Sequence, residues 1–496
     1  MKSILKAMAL SLTSSIALAT IVFFVIYKFT TRSKSTKNSL PEPWRLPIIG
    51  HMHHLIGTIP HRGLMDLARK YGSLMHLQLG EVSAIVVSSP KAAKEIFTTY
   101  DITFGNRPET LSGEIIGYHN TDIVFAPYGE YWRQVRKICT LDLLSAKKVK
   151  SYQSLREEEC WNLVQEIKAS GSGRPVNPSE NIFKLIAMIF CRAAFGKGIK
   201  EHKEFTENVK EMLKETGGMD VADIFPSKKF LHHLSGKRAR LTSIHKKLDN
   251  IINNVVAEHN VKTASKTNET LLDVLLRLKD SAEFQLTADN VKAIIVDMFT
   301  AGTDTSATTI EWAISELIKC PRAMEKVQTE LRKALNGKEK IHEEDIKELS
   351  YLNLVIKETL RLHPPLPLLL RRECHQAVNL AGYDIPNKAR LIFNVFAINR
   401  DPEFWKDAET FIPERFENSS TSIMGAEYEY LPFGAGRRMC PGSALGLANV
   451  QLPLANILYH FNWKLPNGAS YDQIDMTERF GLTVVRQSEL LLVPSF

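Results

Sequence analysis

Phe433-Gly434-Ala435-Gly436-Arg437-Arg438-Met439-Cys440-Pro441-Gly442 is the stretch on which the reading of this chain turns. Its glycines let backbone come very close to a flat partner. Pro441 suits the first position of a helix, and Ser443–Tyr459 reads as that helix. Cys440 then stands at a helix N-terminus beside Arg437 and Arg438, and both settings favour thiolate over thiol. No second Cys or His lies nearby, which makes the site a poor one for zinc. A lone axial thiolate is instead the ligand that a heme iron takes where O–O cleavage is the task.

Upstream, Leu286-Thr287-Ala288-Asp289 opens the clearest helix, with Thr287 as its N-cap and Asp289 in its first turn. Apolar residues recur through Ile294, Ile295, Met298, Ile310, Trp312, Ala313, Ile314, Leu317 and Ile318, and Pro321 ends the run. That is about 33 residues and roughly 50 Å, enough to cross a whole domain as a central pillar. In its middle stands Ala301-Gly302-Thr303-Asp304-Thr305-Ser306, a poor helix segment. One reading is a kink with satisfied hydroxyls. The other is a local opening beside a ligand, with a carboxylate and a hydroxyl aimed into it. Strand-like runs, His76–Leu79 and Ala84–Ser88, flank Gly80-Glu81-Val82-Ser83. From about Lys91 to about Leu362 helical patterns dominate. The fold class is mainly α with a smaller β portion.

The chain has 496 residues, 44% of them apolar and 24% charged, which excludes a mainly disordered chain, a collagen-like fibre and a multi-span transporter. Its 63 basic against 55 acidic residues give a charge of +8. Spread over so long a chain, that excess suits an anionic membrane surface or an acidic protein partner rather than nucleic acid. Six widely and irregularly spaced cysteines with no C-x-x-C pair point to a reducing compartment.

Residues 7–27 carry no charged side chain, and about twenty helical residues span a bilayer core of about 30 Å. Lys28, Arg32, Lys34 and Lys37 follow and should keep the body in the cytosol. Ala17-Leu18-Ala19 resembles a signal-peptide cleavage site but is followed by more of the same apolar run. The expected organisation is a membrane anchor over 1–30, a basic, proline-rich linker over 31–50 and one large domain over 51–496. Leu40-Pro41-Glu42-Pro43-Trp44-Arg45-Leu46-Pro47 would be a stiff spacer within that linker.

The Phe433–Gly442 segment resembles the heme-binding loop of cytochrome P-450 monooxygenases, Phe-x-x-Gly-x-Arg-x-Cys-x-Gly. Phe433, Gly436, Arg438, Cys440 and Gly442 hold the five fixed positions. Glu358-Thr359-Leu360-Arg361 resembles that family's Glu-x-x-Arg, and Pro413-Glu414-Arg415-Phe416 its Pro-Glu-Arg-Phe segment, with Arg415 completing a buried ion cluster. Ala301–Ser306 is similar to the oxygen-activation segment. Trp132-Arg133-Gln134-Val135-Arg136 resembles Trp-x-x-x-Arg.

The resemblance implies the cytochrome P-450 fold, preceded by one transmembrane helix. It implies heme b, with Cys440 as the metal ligand. Trp132, Arg136, Arg372, Phe433, Arg438 and Gly442 would bind that cofactor, and the propionates would pair with Trp132, Arg136, Arg438 and Arg372. Dioxygen would lie against a groove at Ala301-Gly302, Thr305 would face it, and Asp304 would relay protons. The chain shows no Gly-x-Gly-x-x-Gly after a strand and no flavin motif. Electrons from NADPH would therefore arrive through a membrane-bound NADPH–cytochrome P-450 reductase, with cytochrome b5 as a further candidate partner. The implied location is the endoplasmic reticulum membrane, single-pass, with the body facing the cytosol.

The likeness runs from Met1 to Phe496 and is strongest to plant sesquiterpene oxidases, notably over Leu46–Leu55, Ala222–Phe230 and Ala444–Trp463. These relatives oxidise an allylic methyl of amorphadiene- or germacrene A-type hydrocarbons from alcohol to aldehyde to acid. The pocket should be mostly apolar. Ile115, Phe299, Ala301, Leu366, Leu368 and Phe480 are its candidate substrate walls. Arg371, where relatives usually have Pro, departs from the group, as do Phe104-Gly105-Asn106, Phe125, Phe393 and Phe480. Three other readings are an oxidase of a different plant terpenoid or phenolic, a heme-thiolate isomerase or dehydratase, and a non-catalytic membrane heme protein. An intact Asp304-Thr305 pair argues against the second, and the full set of motifs against the third.

Overall fold

The computed structural model describes residue 20 and residues 38–196, 202–217, 220–260, 269–281, 286–419, 421–424 and 427–496. Apart from Thr20, the expected anchor lies outside the described residues. Among the described residues no helix is long and apolar enough to cross a membrane.

The elements that position the site are, in chain order, β1 (Leu74–Leu79), β2 (Val82–Val87), α1 (Glu130–Ile138), α2 (Pro178–Phe195), α3 (Ala288–Lys319), α4 (Ser350–Leu362), β3 (Arg372–Glu373), β4 (Arg390–Phe393), α5 (Ser443–His460), β5 (Glu478–Phe480) and β6 (Val484–Arg486).

The pillar, α3, forms as its sequence predicts. The Thr287 hydroxyl accepts the Asn290 N–H at 3.1 Å and the Asn290 side chain accepts the Thr287 N–H at 2.9 Å, a reciprocal cap. The helix then runs unbroken for 32 residues, through Ala301–Ser306. Neither a break nor an opening appears there. Gly302 answers a packing need instead. A Cβ at this position would lie 2.0 Å from the Phe190 ring of α2, so only glycine lets the two helices approach. Thr305 and Thr309 turn their hydroxyls back onto the carbonyls of Ala301 and Thr305 at 2.7 and 2.8 Å, which satisfies them within the helix.

The strands form a small mixed sheet in the order β1-β2-β4-β3. β1 and β2 are joined at Gly80-Glu81, with Gly80 at φ +58°, and Leu79 pairs with Val82. The turn is shorter than expected because Val82 and Ser83 belong to the ladder. β2 and β4 pair in parallel, Ala84 opposite Arg390, with the helical body inserted between them. The proline-rich segment is built into this sheet from Leu40, which is buried. Proline lacks an N–H but keeps its carbonyl. Thus the His76 N–H donates to Pro41 O at 2.9 Å, and His51 Nε2 lies 2.8 Å from Pro43 O. This part of the expected linker therefore lies along the outer edge of the sheet at β1.

α4 carries the predicted ion cluster. Arg361 meets both Glu358 oxygens at 2.7 and 2.8 Å, Arg415 reaches Glu358 Oε1 at 2.9 Å, and the Glu358 and Arg361 side chains are 0% exposed. Arg361 also donates to the carbonyls of Asn399 and Ala408 at 2.9 and 2.7 Å. The cluster thereby ties α4 to the segment leading into the cysteine loop. All six cysteines are free thiols.

Candidate active site

A cavity with about 1230 Å³ of atom-free space, its mouth included, is lined by α1, α3, α4, α5, the Pro365–Arg372 segment and the Pro432–Pro441 loop. It gathers Trp132, Arg136, Ala301, Thr305, Leu366, Arg372, Phe433, Arg438 and Cys440, residues spread over most of the chain. Gly442 lies just behind the loop, within about 4 Å of the Cys440 sulfur if given a Cβ. The departures in Phe104 and Phe393 are buried core, and Phe393 stacks on Phe97 at 4.6 Å.

Four candidate walls do not line the cavity. Phe299 is the clearest correction: its ring packs 4.7 Å from Phe205 in the core beside α2. Ala301 and Thr305 line the cavity, while Phe299 and Gly302 meet Phe190 of α2. At the expected oxygen groove, Ala301 lines the cavity and a Cβ on Gly302 would point at Phe190. Ile115 packs on the main core, Leu368 on the small core beneath the sheet, and Phe480 sits in β5 with its ring 6.2 Å from His61.

The loop around Cys440 is held closed by one carboxylate. Asp101 accepts from Arg372 Nη1 at 2.6 Å and from the Arg437 backbone N–H at 2.8 Å, while Arg372 Nη2 donates to Ala435 O at 2.9 Å. Gly436 has φ +70°, and a Cβ there would stand 2.5 Å from Asp101 Oδ1. The Cys440 N–H returns to Phe433 O at 3.0 Å.

The expected low thiol pKa is not found in the protein chain. Burial pushes the Cys440 thiol up, and the Gly442 N–H and Arg136 only partly oppose it. The helix begins at Ser443, after Gly442, so Pro441 precedes it and Cys440 stands outside its first turn. Arg437 turns toward Asp101, and Arg438 stacks on Trp132 at 4.1 Å and donates to Gly105 O at 2.9 Å and Ala126 O at 2.6 Å. Neither guanidinium addresses the sulfur.

The cavity edge is strongly cationic. Arg107, Arg136, Arg372 and Arg438 all line it. Burial and the like charges of Arg438 and Arg372 push Arg107 well down, and burial with Arg372 and Arg136 pushes Arg438 down to about 9. The Arg136 guanidinium has no hydrogen-bond or ion-pair partner among the described residues, and the Trp132 N–H donates to Ile123 O at 3.1 Å. Sequence reasoning missed Arg107, an isolated arginine in Phe104-Gly105-Asn106-Arg107-Pro108. Its Nη1 donates to the carbonyls of Leu370 and Arg371 at 2.6 and 2.9 Å. An apolar cavity with a lone half-buried thiol and a rim of under-compensated guanidiniums fits heme, whose two propionates supply the missing negative charge.

Arg371 does not face this edge. Burial and Arg390 lower its pKa, Asp223 opposes, and its side chain makes no hydrogen bond or ion pair among the described residues. Such a cation is a liability. Arg371→Leu is therefore expected to raise stability by about 1 kcal/mol, read as a higher urea midpoint; a lower midpoint would mean that the charge is in use.

Asp304 also sits outside the cavity lining. Burial pushes its carboxyl up to about 6, against a hydrogen bond from Thr483 and the charge of Arg479. Ser306, which lines the cavity, has a buried hydroxyl with no partner in the protein.

Residues 40–493 match the cytochrome P-450 family model. The chain is 88% identical over 489 residues to a germacrene A hydroxylase of Tanacetum parthenium, covering 99% of this chain and 100% of that protein. It is 84% identical over 496 residues to an amorpha-4,11-diene 12-monooxygenase of Artemisia annua, covering 100% of both. A zebrafish cytochrome P-450 structure with progesterone superposes with a TM-score of 0.77 at 24% identity, covering 89% of this chain and 100% of that one, a likeness of fold alone.

Proposed function

The chain belongs to the cytochrome P-450 family, and on that premise we propose that it oxidises an allylic methyl group of a sesquiterpene hydrocarbon of the germacrene A or amorphadiene type. It is a monooxygenase, an oxidoreductase that works on a hydrophobic substrate with a redox partner. The observation that carries the substrate reading is the end-to-end likeness to two sesquiterpene oxidases. The apolar cavity walls support it, since they offer a hydrocarbon shape and little to hydrogen-bond.

Cys440 would hold the iron. Arg107, Arg136, Arg372, Arg438 and Trp132 would surround the propionates. When bound, heme supplies the oxygen activation that no side chain can. Leu360, Leu366, Leu369 and Ile356 would orient the terpene and exclude water. Thr305 Oγ1 holds its proton on Ala301 O, and its lone pairs remain free to accept. Asp304, with its carboxyl near 6, can both take and give a proton near neutral pH. Thr305→Ala is expected to keep heme but release reducing equivalents as peroxide, seen as peroxide formed per NADPH oxidised; unchanged coupling would remove Thr305 from proton delivery.

Electrons would come from NADPH through the membrane-bound reductase, with cytochrome b5 as a second donor. The setting would be the cytosolic face of the endoplasmic reticulum membrane. The uncharged run over 7–27 supports this, as do the exposed apolar side chains Trp44, Ile48 and Ile56 just after it. Oxidation would run from alcohol to aldehyde and acid.

The test is product analysis. Microsomes with this chain and a plant reductase would receive germacrene A and amorphadiene separately, with and without NADPH. An NADPH-dependent alcohol, aldehyde or acid supports the reading and tells which skeleton is preferred. No product from either, with an intact ferrous–carbon monoxide spectrum, overturns the substrate and keeps the family.

A further inference from the structure

Asp304 is the one member of the oxygen-side pair whose side chain leaves the cavity. Its Oδ2 accepts a hydrogen bond of 2.5 Å from Thr483 Oγ1, on the C-terminal hairpin between β5 and β6. Thr483 is buried, and its position is fixed from several sides. The Gly481 N–H donates to Thr483 O at 3.1 Å. The next residue, Val484, donates its N–H to Pro365 O at 3.0 Å and accepts the Trp312 indole N–H of α3 at 2.9 Å. Gly217 closes the other side, where a Cβ would lie 2.7 Å from Leu482 N. A hydroxyl held this firmly serves as a fixed anchor for the carboxyl it meets.

We propose that Thr483 is the positioning residue of the proton path: it holds the Asp304 carboxyl on the side of α3 away from the cavity and governs how readily that carboxyl takes up and gives up a proton. The inference rests on the relay reading of Asp304 given above. The chemistry is directional. Thr483 donates to Asp304, and a donated hydrogen bond stabilises a carboxylate more than a carboxylic acid. Loss of the hydroxyl therefore raises the proton affinity of Asp304 and frees the side chain to turn. The charged groups that act on Asp304 are Arg479 of β5, which favours the carboxylate, and Glu311 further along α3, which opposes it. Glu311 is itself held by Ser179 Oγ at 2.5 Å and faced by Arg486 of β6 at 4.0 Å. Burial dominates all of these and leaves the carboxyl near 6, where the Thr483 bond has leverage on the fraction protonated.

The test is the pH dependence of coupling, product formed per NADPH consumed, on the reconstituted holoenzyme with heme content matched by the ferrous–carbon monoxide spectrum. In the wild type, coupling should fall on the alkaline side as Asp304 loses its proton. Thr483→Val keeps size and removes the donor, and it should move that midpoint upward by about one pH unit. Thr483→Ser keeps the donor and should follow the wild type. Coincident midpoints for Thr483→Val and wild type, or an equal shift in Thr483→Ser, would overturn the proposal. Asp304→Asn separates the two readings. If it uncouples while Thr483→Val tracks the wild type, only the role of Thr483 falls. If it stays fully coupled, the relay reading falls, and the role of Thr483 with it.

Discussion

Cys440→Ala is expected to lose the heme-thiolate spectrum and all turnover while the chain stays folded. The loop that presents Cys440 does not depend on its sulfur. It is closed by Asp101 through Arg372 and the Arg437 N–H, and by the Cys440 backbone N–H on Phe433 O. The substitution removes one half-buried sulfur, an apolar change that should cost only about 1–2 kcal/mol. What disappears is the chain's sole candidate ligand at this site, since Cys440 is the only thiol lining the cavity. The measurement pairs a ferrous–carbon monoxide difference spectrum with the product assay. Oxidation at the wild-type rate by the variant would show the ligand assignment to be wrong.

Glu358→Ala is expected to lower global stability by about 3–5 kcal/mol, the cost of leaving a buried cation uncompensated. Glu358 neutralises Arg361, which is wholly inaccessible, shares its charge with Arg415, and accepts the Ile412 N–H at 2.9 Å. Its loss strands two guanidiniums and an amide at once. Domains are commonly stable by only about 5–15 kcal/mol, so the variant should accumulate poorly and unfold at markedly lower urea. Glu358→Leu with Arg361→Leu should be less damaging than the single change, because Arg415 alone, and no longer the fully buried Arg361, then lacks its carboxylate. A single variant within about 1 kcal/mol of wild type would mean that the cluster is a surface-like pair of little worth.

How far the sequence alone reached depended on whether its signals were local. The cap of α3 is encoded within four residues, Thr287 to Asn290, and the helix stop in Pro321. The Glu358–Arg361 pair lies three residues apart on one helix and needed only helical spacing to be seen. The shortfalls share another cause. Gly302 reads equally well as a ligand groove or a helix contact until Phe190 of α2 is known to sit against it. Phe299 reads as cavity wall until the rotation of α3 is fixed by its neighbours. Arg107 carries no motif strong enough to separate it from any other arginine, and its role arises from the company of Arg372 and Arg438.

By itself the sequence determined the mainly helical class, the cysteine loop, the central helix with its ends and the paired charges of α4, because hydrogen bonding and periodicity within a few residues decide such features. Only the tertiary structure decided which face of α3 meets the cavity, which arginines crowd its edge, that Asp304 turns to Thr483, and that burial outweighs the nearby arginines and helix at Cys440. Those outcomes depend on desolvation and on contacts between residues far apart in the chain, and both quantities come into being only when the elements pack.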